Sequence, residues 1–128
     1  MADNMRTTLA DLLRAELPTK WDVYDHGISL ENPLKPVVVV RQTSIRRTPG
    51  APRLYRDATL TVGLVEPGLD LAKLEDALDD DLDTLLDAVE AVELPGLVWT
   101  GADRATFDER FQGYEITATI TYEKDTTP

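Results

Sequence analysis

The sequence predicts an α+β domain in which two helices pack on one face of a mainly antiparallel sheet, in the order α-β-β-β-α-β-β. Two stretches carry apolar residues at helical spacing, and several others alternate apolar and polar side chains as half-buried strands do. The 128 residues suit one domain with a single core. We therefore expect 1–128 to form one domain, with loose termini at about 1–6 and 125–128.

The first helix is predicted from about Thr7 to Leu17. Thr7 or Thr8 can cap its start, and Pro18 ends it. Its apolar stripe consists of Leu9, Leu12, Leu13 and Leu17.

The second helix is predicted from an N-cap at Asp70 to about Val92, with Pro95-Gly96 ending it. Its apolar residues fall on one side of a helical wheel. They are Leu71, Leu74, Leu78, Leu82, Leu85, Leu86, Val89 and Val92.

The strands before the second helix are a short one at Trp21–Tyr24 and the two arms of a β-hairpin. The first arm runs from Val37 to about Arg46, and its four valines suggest burial on both faces there. The second arm runs from Leu54 to Val65. A proline- and glycine-rich segment, Arg47–Arg53, joins the arms and predicts a protruding loop.

A second hairpin is predicted after the second helix. Its first strand runs from Leu97 to about Arg104 and is broken by Gly101. Its second strand, Phe111–Glu123, alternates most regularly. Apolar residues from Tyr114 to Tyr122 share one face, and threonine and glutamate residues share the other.

The composition excludes several kinds of chemistry. The chain has no cysteine, so disulfides and thiol catalysis are excluded, and His26 is its one histidine. It sits in a loop beside Asp25, and neither Ser29 nor Ser44 lies in a nucleophile-elbow motif. We therefore expect no enzymatic activity, no cofactor and no metal site. The segment Met1–Arg6 lacks a secretion signal, and no stretch is long and apolar enough to span a membrane.

The charge is unevenly distributed along the chain. Residues 1–64 carry nine basic against seven acidic side chains, or +2, whereas residues 65–128 carry four against seventeen, or −13; the total is −11. An acidic surface repels phosphates, which argues against specific DNA binding. Surfaces of opposite sign on one molecule favour a head-to-tail contact between copies, the geometry that generates rings.

The second helix has a pronounced acidic face. It is formed by Asp76, Asp80, Asp83 and Asp87, with Asp79, Asp81 and Glu90 at its flanks. This face could simply be solvated, could bind a basic partner, or could repel passing DNA. Calcium is the weakest option, because calcium loops need a turn with glycine at a set place.

The first hairpin is rich in arginine. The candidate interface residues are Arg46, Arg47, Pro49, Gly50, Arg53 and Arg56, with Arg41 nearby. Nucleic-acid binding would favour interleaved aromatic residues, and only Tyr55 is close. A proline-stiffened loop with arginine forks suits contact with protein carboxylates. The alternative is an exposed basic turn without a role.

The order of these features resembles that of a known family. The helix with Leu9-x-x-Leu12-Leu13, the Trp21 strand, the Val37–Val40 strand and the arginine hairpin are followed by the Leu/Asp helix. The last strand reads Tyr-x-Ile-x-Ala-x-Ile-x-Tyr from Tyr114. Over about residues 7–123 this layout resembles the tail terminator proteins of long-tailed, siphovirus-like bacteriophages.

The resemblance implies a structural virion protein at the tail–neck junction, present in the host cytoplasm during assembly. It implies a homohexameric ring that caps the tail tube, ends tube polymerisation and forms the joint to the head-completion, or connector, proteins. Its partners would be its own copies, the major tail tube protein and the connector, and DNA would pass through without specific binding. The arginine hairpin would then contact a neighbouring subunit or the tube, and the acidic face a partner or the channel.

Two other classes of protein remain open. Another phage neck or head–tail adaptor protein would share the size and composition, although such proteins are mostly β and the helix ending near Val92 is long. An unrelated acidic protein-binding module, which could be dimeric, would use the same acidic face to bind a basic partner.

Overall fold

The computed structural model describes residues 5–27, 35–48, 50, 55–67, 71–108 and 111–123. These residues form two helices and five strands in the predicted order, which confirms the α+β class. The elements are α1 (Met5–Glu16), β1 (Asp22–Tyr24), β2 (Val37–Arg47), β3 (Tyr55–Val65), α2 (Leu71–Ala91), β4 (Leu97–Phe107) and β5 (Phe111–Glu123).

The five strands form one sheet in the order β1-β2-β3-β5-β4. Strands β2 and β3 form the first predicted hairpin, and β4 and β5 form the second. An antiparallel β3–β5 ladder joins the two hairpins. Strand β1 pairs with β2 in parallel, and its ladder covers only Val37–Val39 of β2. The sheet is therefore mainly antiparallel, with one short parallel edge.

Several predicted boundaries differ from the structure. Helix α1 begins at Met5, so Thr7 and Thr8 lie inside it rather than at its cap, and the Thr7 hydroxyl donates to Asp25 Oδ2 at 3.1 Å. Strand β4 continues past Arg104, the predicted end, to Phe107. Gly101 does not break β4, because the ladder to β5 continues on both sides of a bulge between Trp99 and Gly101. The predicted cap Asp70 lies outside the described residues.

The main core lies between the two helices and one face of the sheet, which we call the inner face. Alternate residues of the three central strands are buried there, since successive side chains of a strand point to opposite faces. Each fully buried aliphatic side chain contributes roughly 1.5–3 kcal/mol. The residues buried in this cluster are Leu9, Leu13, Val38, Val40, Ala58, Leu60, Val62, Leu64, Leu85, Val89, Ile116 and Ile120, among others.

A second, smaller apolar cluster lies on the outer face, against which neither described helix packs. Val37 and Val65 are buried there, with four partly buried neighbours, Tyr24, Val39, Phe107 and Phe111. The Phe107 ring lies against two glycines of adjacent strands. A Cβ at Gly63 would come within 3.0 Å of Phe107 Cε1, and one at Gly113 within 2.8 Å of Cε2. The glycines therefore make room for the ring.

The register defines two ends of the sheet. At the glycine end, Val37–Val40 of β2 lie level with Gly63 of β3 and Ala102–Phe107 of β4. At the hairpin end, Arg41–Arg47 of β2 lie level with the first half of β3 and with the first residues of β4. The outer-face cluster belongs to the glycine end, and the predicted arginine loop to the hairpin end.

Candidate functional site

The acidic helix surface, formed by Asp76, Asp80, Asp83 and Asp87 of α2, is exposed along its whole length. The apolar stripe of α2 turns toward the sheet, so these four carboxylates point into solvent. Side-chain contacts fix the position of α2 beside the edge strand β4. Arg104 of β4 forms two hydrogen bonds with Glu75, at 2.7 and 3.0 Å, and the Trp99 indole donates to Glu90 at 2.9 Å.

The carboxyl end of α2 is electrostatically unfavourable in the isolated chain. The last turn has no basic residue, whereas Asp87, Glu90 and Glu93 are exposed at or just beyond it. A helix carries partial negative charge at its carboxyl end, so cations stabilise that end and anions destabilise it. This end of α2 therefore favours a cationic partner.

The Glu75–Arg104 pair is the best-defined ion pair beside this surface. The Arg104 guanidinium lowers the pKa of Glu75, and the Glu75 carboxylate raises the pKa of Arg104. Arg104 also lies 5.7 Å from the Tyr114 ring centroid. Both charges of the pair are largely exposed, so its net stabilisation is small.

The basic hairpin surface, formed by Arg41, Arg46, Arg47 and Arg56, lies at the hairpin end on β2 and β3. The first three are exposed and Arg56 is half-buried. Register places Arg47 directly opposite Arg56 and Arg46 opposite Asp57. Like charges opposite each other destabilise an antiparallel pair. The Asp57 carboxylate already accepts from Thr48 at 2.9 Å and Thr121 at 2.7 Å.

An open cavity of about 490 Å³ lies at this end of the hairpin. Its lining is Ile45, Arg46, Arg47, Tyr55 and Arg56. Gly50 has a φ of 71°, the left-handed conformation that glycine tolerates best. The candidate residues Pro49 and Arg53 lie outside the described residues.

The structure does not bring the two charged surfaces together within one molecule. Arg46 and Arg47 lie on β2, and the acidic helix runs along β4 at the opposite edge of the sheet. In the described ranges the ion pairs are Arg14–Asp11, His26–Asp25, Lys35–Asp22 and Arg104–Glu75. None of them uses the basic hairpin surface or the four aspartates of the acidic helix surface.

A buried carboxyl group, Glu66, was not singled out by the sequence. It follows the last residue of β3 and is 5 % exposed, and its Oε2 has no hydrogen-bond partner among the described residues. Burial is the main cause that raises the pKa of Glu66 to about 8. A hydrogen bond with Asp81 and the negative charge of Asp81 also raise this pKa, and the positive charge of Lys20 lowers it. Burial and the neighbouring Asp81 carboxylate therefore favour the protonated form of Glu66. The sequence does carry one sign of a buried acidic pair, because Asp81 falls among the apolar positions of α2.

His26 lies at the surface, as the sequence indicated. Its Nδ1 is 2.8 Å from Asp25 Oδ1, and its side chain is exposed. Hydrogen bonds from His26 and then Thr7 hold the pKa of Asp25 below its usual value. Of the two serines, Ser44 lies in β2, and Ser29 lies outside the described residues.

In the described part of the chain, no three His, Asp or Glu side chains gather as ligands for a metal ion. No helix in those same ranges combines the length and apolar character needed to cross a membrane.

No family model matches the sequence, and no curated protein matches it.

Proposed function

We propose that the protein is a structural virion protein that forms a ring on the tail tube of a long-tailed phage. In this role it ends tube polymerisation and provides the joint to the head-completion proteins. The observation that carries the proposal is the separation of the basic hairpin surface, on β2 and β3, from the acidic helix α2, whose Glu75 and Glu90 contact β4 at the other side of the sheet.

This charge arrangement favours repeated self-association. A basic edge and an acidic edge on one molecule are complementary between copies and not within a copy, so each copy can bind one neighbour at each edge. Such a head-to-tail contact closes into a ring when its rotation divides a full turn. Electrostatic complementarity also fixes register and disfavours wrong partners.

The layout supports assigning this ring to a tail terminus. Two helices on one face of a mainly antiparallel sheet, with exposed arginines on one hairpin, are the layout on which the resemblance to tail terminator proteins rests. The partners are then the chain's own copies, forming a hexamer, together with the major tail tube protein and the connector. DNA passes through the ring, and acidic side chains such as Asp80 and Asp83 disfavour its binding.

The first experiment is native mass spectrometry of the purified chain over a concentration series, with negative-stain imaging of the same samples and of samples mixed with tail tubes. We expect closed rings of six, free or as caps on tube ends, and tubes that stop elongating when the protein is added. A tight two-fold dimer that never opens, or uncapped tubes, would contradict the proposal and favour an acidic protein-binding module.

Charge reversal tests the carrying observation directly. Arg46→Glu with Arg47→Glu should abolish ring formation while the far-ultraviolet circular dichroism stays unchanged, because both side chains are exposed. Lys20→Glu is a matched control, since Lys20 is also exposed but lies outside the hairpin. Rings that persist in the double variant would remove the basic hairpin surface from the contact.

A further inference from the structure

Two long stretches of strand edge pair with no other strand among the described residues. Strand β4 pairs with β5 on one side and lies at the end of the strand order. Strand β2 pairs with β3 throughout, but on its other side β1 covers only Val37–Val39. No described strand therefore pairs with the outer edge of β2 from Val40 to Arg47. Unpaired edges present rows of N–H and C=O groups that readily pair with another chain.

At the hairpin end, the free edge of β2 and the free edge of β4 lie in the same rows of paired residues across the sheet. The register can be followed from β2 across β3 and β5 to β4. The four rows are Ile45-Ala58-Ile120-Leu97, Ser44-Thr59-Thr119-Val98, Gln42-Leu60-Ala118-Trp99 and Arg41-Thr61-Thr117-Gly101. A neighbouring copy placed beside the first at the same height would thus set Leu97–Gly101 against Arg41–Ile45.

Strand direction also favours this contact. Strand β3 runs opposite to β2, β5 opposite to β3, and β4 opposite to β5. Strand β4 therefore runs opposite to β2. If the next copy has the same orientation, its β4 meets β2 as an antiparallel neighbour. The part of that β4 strand that follows the bulge at Trp99–Gly101 must turn away from β2, because β1 already pairs with the edge of β2 at that level.

Each free edge carries an exposed aliphatic side chain. Of the large apolar residues that the structure describes, Ile45 and Val98 are the exposed ones, at 45 % and 59 %. They occupy neighbouring rows at opposite edges of the sheet. In an edge-to-edge contact Ile45 would lie beside Leu97 on the inner face, and Val98 beside Ser44 on the outer face. Both side chains would then leave solvent.

The charges near the two edges are complementary. The acidic carboxyl end of α2, with Glu90 and Glu93, lies beside the start of β4, as the Trp99–Glu90 hydrogen bond shows. Arg47 shares the inner face with Ile45 and lies beyond it at the end of β2. In the contact, Arg47 would approach this end of α2, where a cation is favoured.

We infer that copies of this chain join head to tail by antiparallel pairing of the β2 edge Arg41–Ile45 with the β4 edge Leu97–Gly101 of the next copy. This continues the sheet from subunit to subunit. The inference rests on the self-association in the proposed function and specifies the surface that mediates it. Backbone hydrogen bonds supply the register, the two aliphatic side chains supply apolar burial, and the arginines pair with the end of α2.

Cysteine crosslinking tests the register, because the natural chain has no cysteine. Two single variants, Ser44→Cys and Val98→Cys, are mixed and oxidised. Each copy in the mixture carries a single cysteine, so a disulfide can form only between copies, and only where the two Cα atoms lie within roughly 7 Å of each other. We expect a crosslinked dimer in the mixture and little in either variant alone.

The matched control mixes Ser44→Cys with Asp103→Cys. Asp103 is also on β4 and also faces outward, but its row runs through Glu115 and Gly63 to Val39, at the β1-covered part of β2. This mixture should crosslink at least tenfold less than the first. Equal crosslinking of the two mixtures, or efficient dimers of Ser44→Cys alone, would overturn the inference.

Failure of the edge contact is distinguishable from failure of the ring. If native mass spectrometry still shows rings but the Ser44/Val98 mixture does not crosslink, the edge pairing is wrong and the proposed function stands. If the chain neither forms rings nor caps tubes, and no mixture crosslinks, both are wrong. Val98→Lys gives a second readout, since a lysine on an edge strand should abolish rings and leave the monomer folded.

Discussion

At the glycine end of the sheet a second apolar cluster covers the outer face and β1 covers the edge of β2, whereas the hairpin end has neither. At the glycine end Phe107 lies over Gly63 and Gly113. At the hairpin end Ile45 and Arg46 are exposed. The same two strands, β2 and β3, pass through both ends. Their burial therefore depends on what lies beside them.

The difference separates folding from association. At the glycine end β1 pairs with the edge of β2 and the apolar side chains pack against one another, so substitutions there should change the free energy of unfolding. The hairpin end leaves an edge, an isoleucine and three exposed arginines without partners in the described part of the chain. Substitutions there should change assembly and leave the free energy of unfolding nearly unchanged.

The largest effect is expected at Gly113. In Gly113→Val the new Cβ would collide with the Leu64 carbonyl oxygen and with the Phe107 ring. Since backbone must move to relieve the first collision, we expect a loss of about 3 kcal/mol or more in the free energy of unfolding. Urea denaturation followed by tryptophan fluorescence measures it.

The control for this substitution is Gly101→Val in the same sheet. A Cβ at Gly101 meets nothing within 4 Å, so this variant should lose less than about 1 kcal/mol. Equal losses at the two glycines would show that the close contacts with Leu64 and Phe107 are not what requires glycine at position 113.

A smaller, pH-dependent effect is expected at Glu66, which follows the glycine end of β3. Its folded-state pKa of about 8 lies above the ordinary value of 4.5. Between these values the unfolded chain loses a proton that the folded chain keeps. The stabilisation is therefore complete below about pH 4.5 and is lost as the pH rises toward about 8, with a slope of at most about 1.4 kcal/mol per pH unit.

Glu66→Gln should flatten this slope and make the variant the more stable protein at pH 8, by about 1–2 kcal/mol. Denaturation midpoints at half-unit steps from pH 5 to pH 8.5 measure the change. Asp80→Asn is the control, because Asp80 is exposed on the same helix as Asp81 and should leave the slope intact. An unchanged slope in Glu66→Gln would mean that another group titrates in this window.

The smallest effect on folding is expected at Ile45. Ile45→Ala removes an exposed side chain, so the free energy of unfolding should change by no more than about 0.5 kcal/mol when measured on dilute monomer. Ile116→Ala, at a fully buried isoleucine of β5, should cost about 2–5 kcal/mol. The opposite order is expected for assembly, with rings lost in Ile45→Ala. If Ile45→Ala and Ile116→Ala lowered the free energy of unfolding by similar amounts, Ile45 would contribute to folding and not only to assembly.

Local patterns predicted most of the elements and their buried faces. Alternation gave Phe111–Glu123 with both bounds, and the leucine stripe gave α2 to within one residue at its start. The start of α1 was placed late, because Met5 and Arg6 extend the helix beyond the threonines that the sequence favours as caps. Gly101 was interpreted as a break because glycine weakens strands, yet it only follows a bulge.

The strand order could not be predicted from such patterns. The placement of β5 between β3 and β4, and the parallel pairing of β1 with β2, depend on contacts between distant parts of the chain. The exposure of Asp76, Asp80, Asp83 and Asp87 followed from the helical wheel. The position of their helix beside β4, away from Arg46, followed only from the strand order and from the contacts of Glu75 and Glu90, so the sequence predicted two charged surfaces without their relation in space.

The position of β5 has a consequence for the newly made chain. It is the last of the five strands to leave the ribosome. It pairs with β3 on one side and with β4 on the other, so it joins the two hairpins into one sheet. Until Phe111–Glu123 emerges, β3 exposes an edge and β4 has no partner in the sheet. The nascent chain therefore cannot complete its sheet in stages, and translation that stalls before β5 leaves an aggregation-prone intermediate for chaperones to hold.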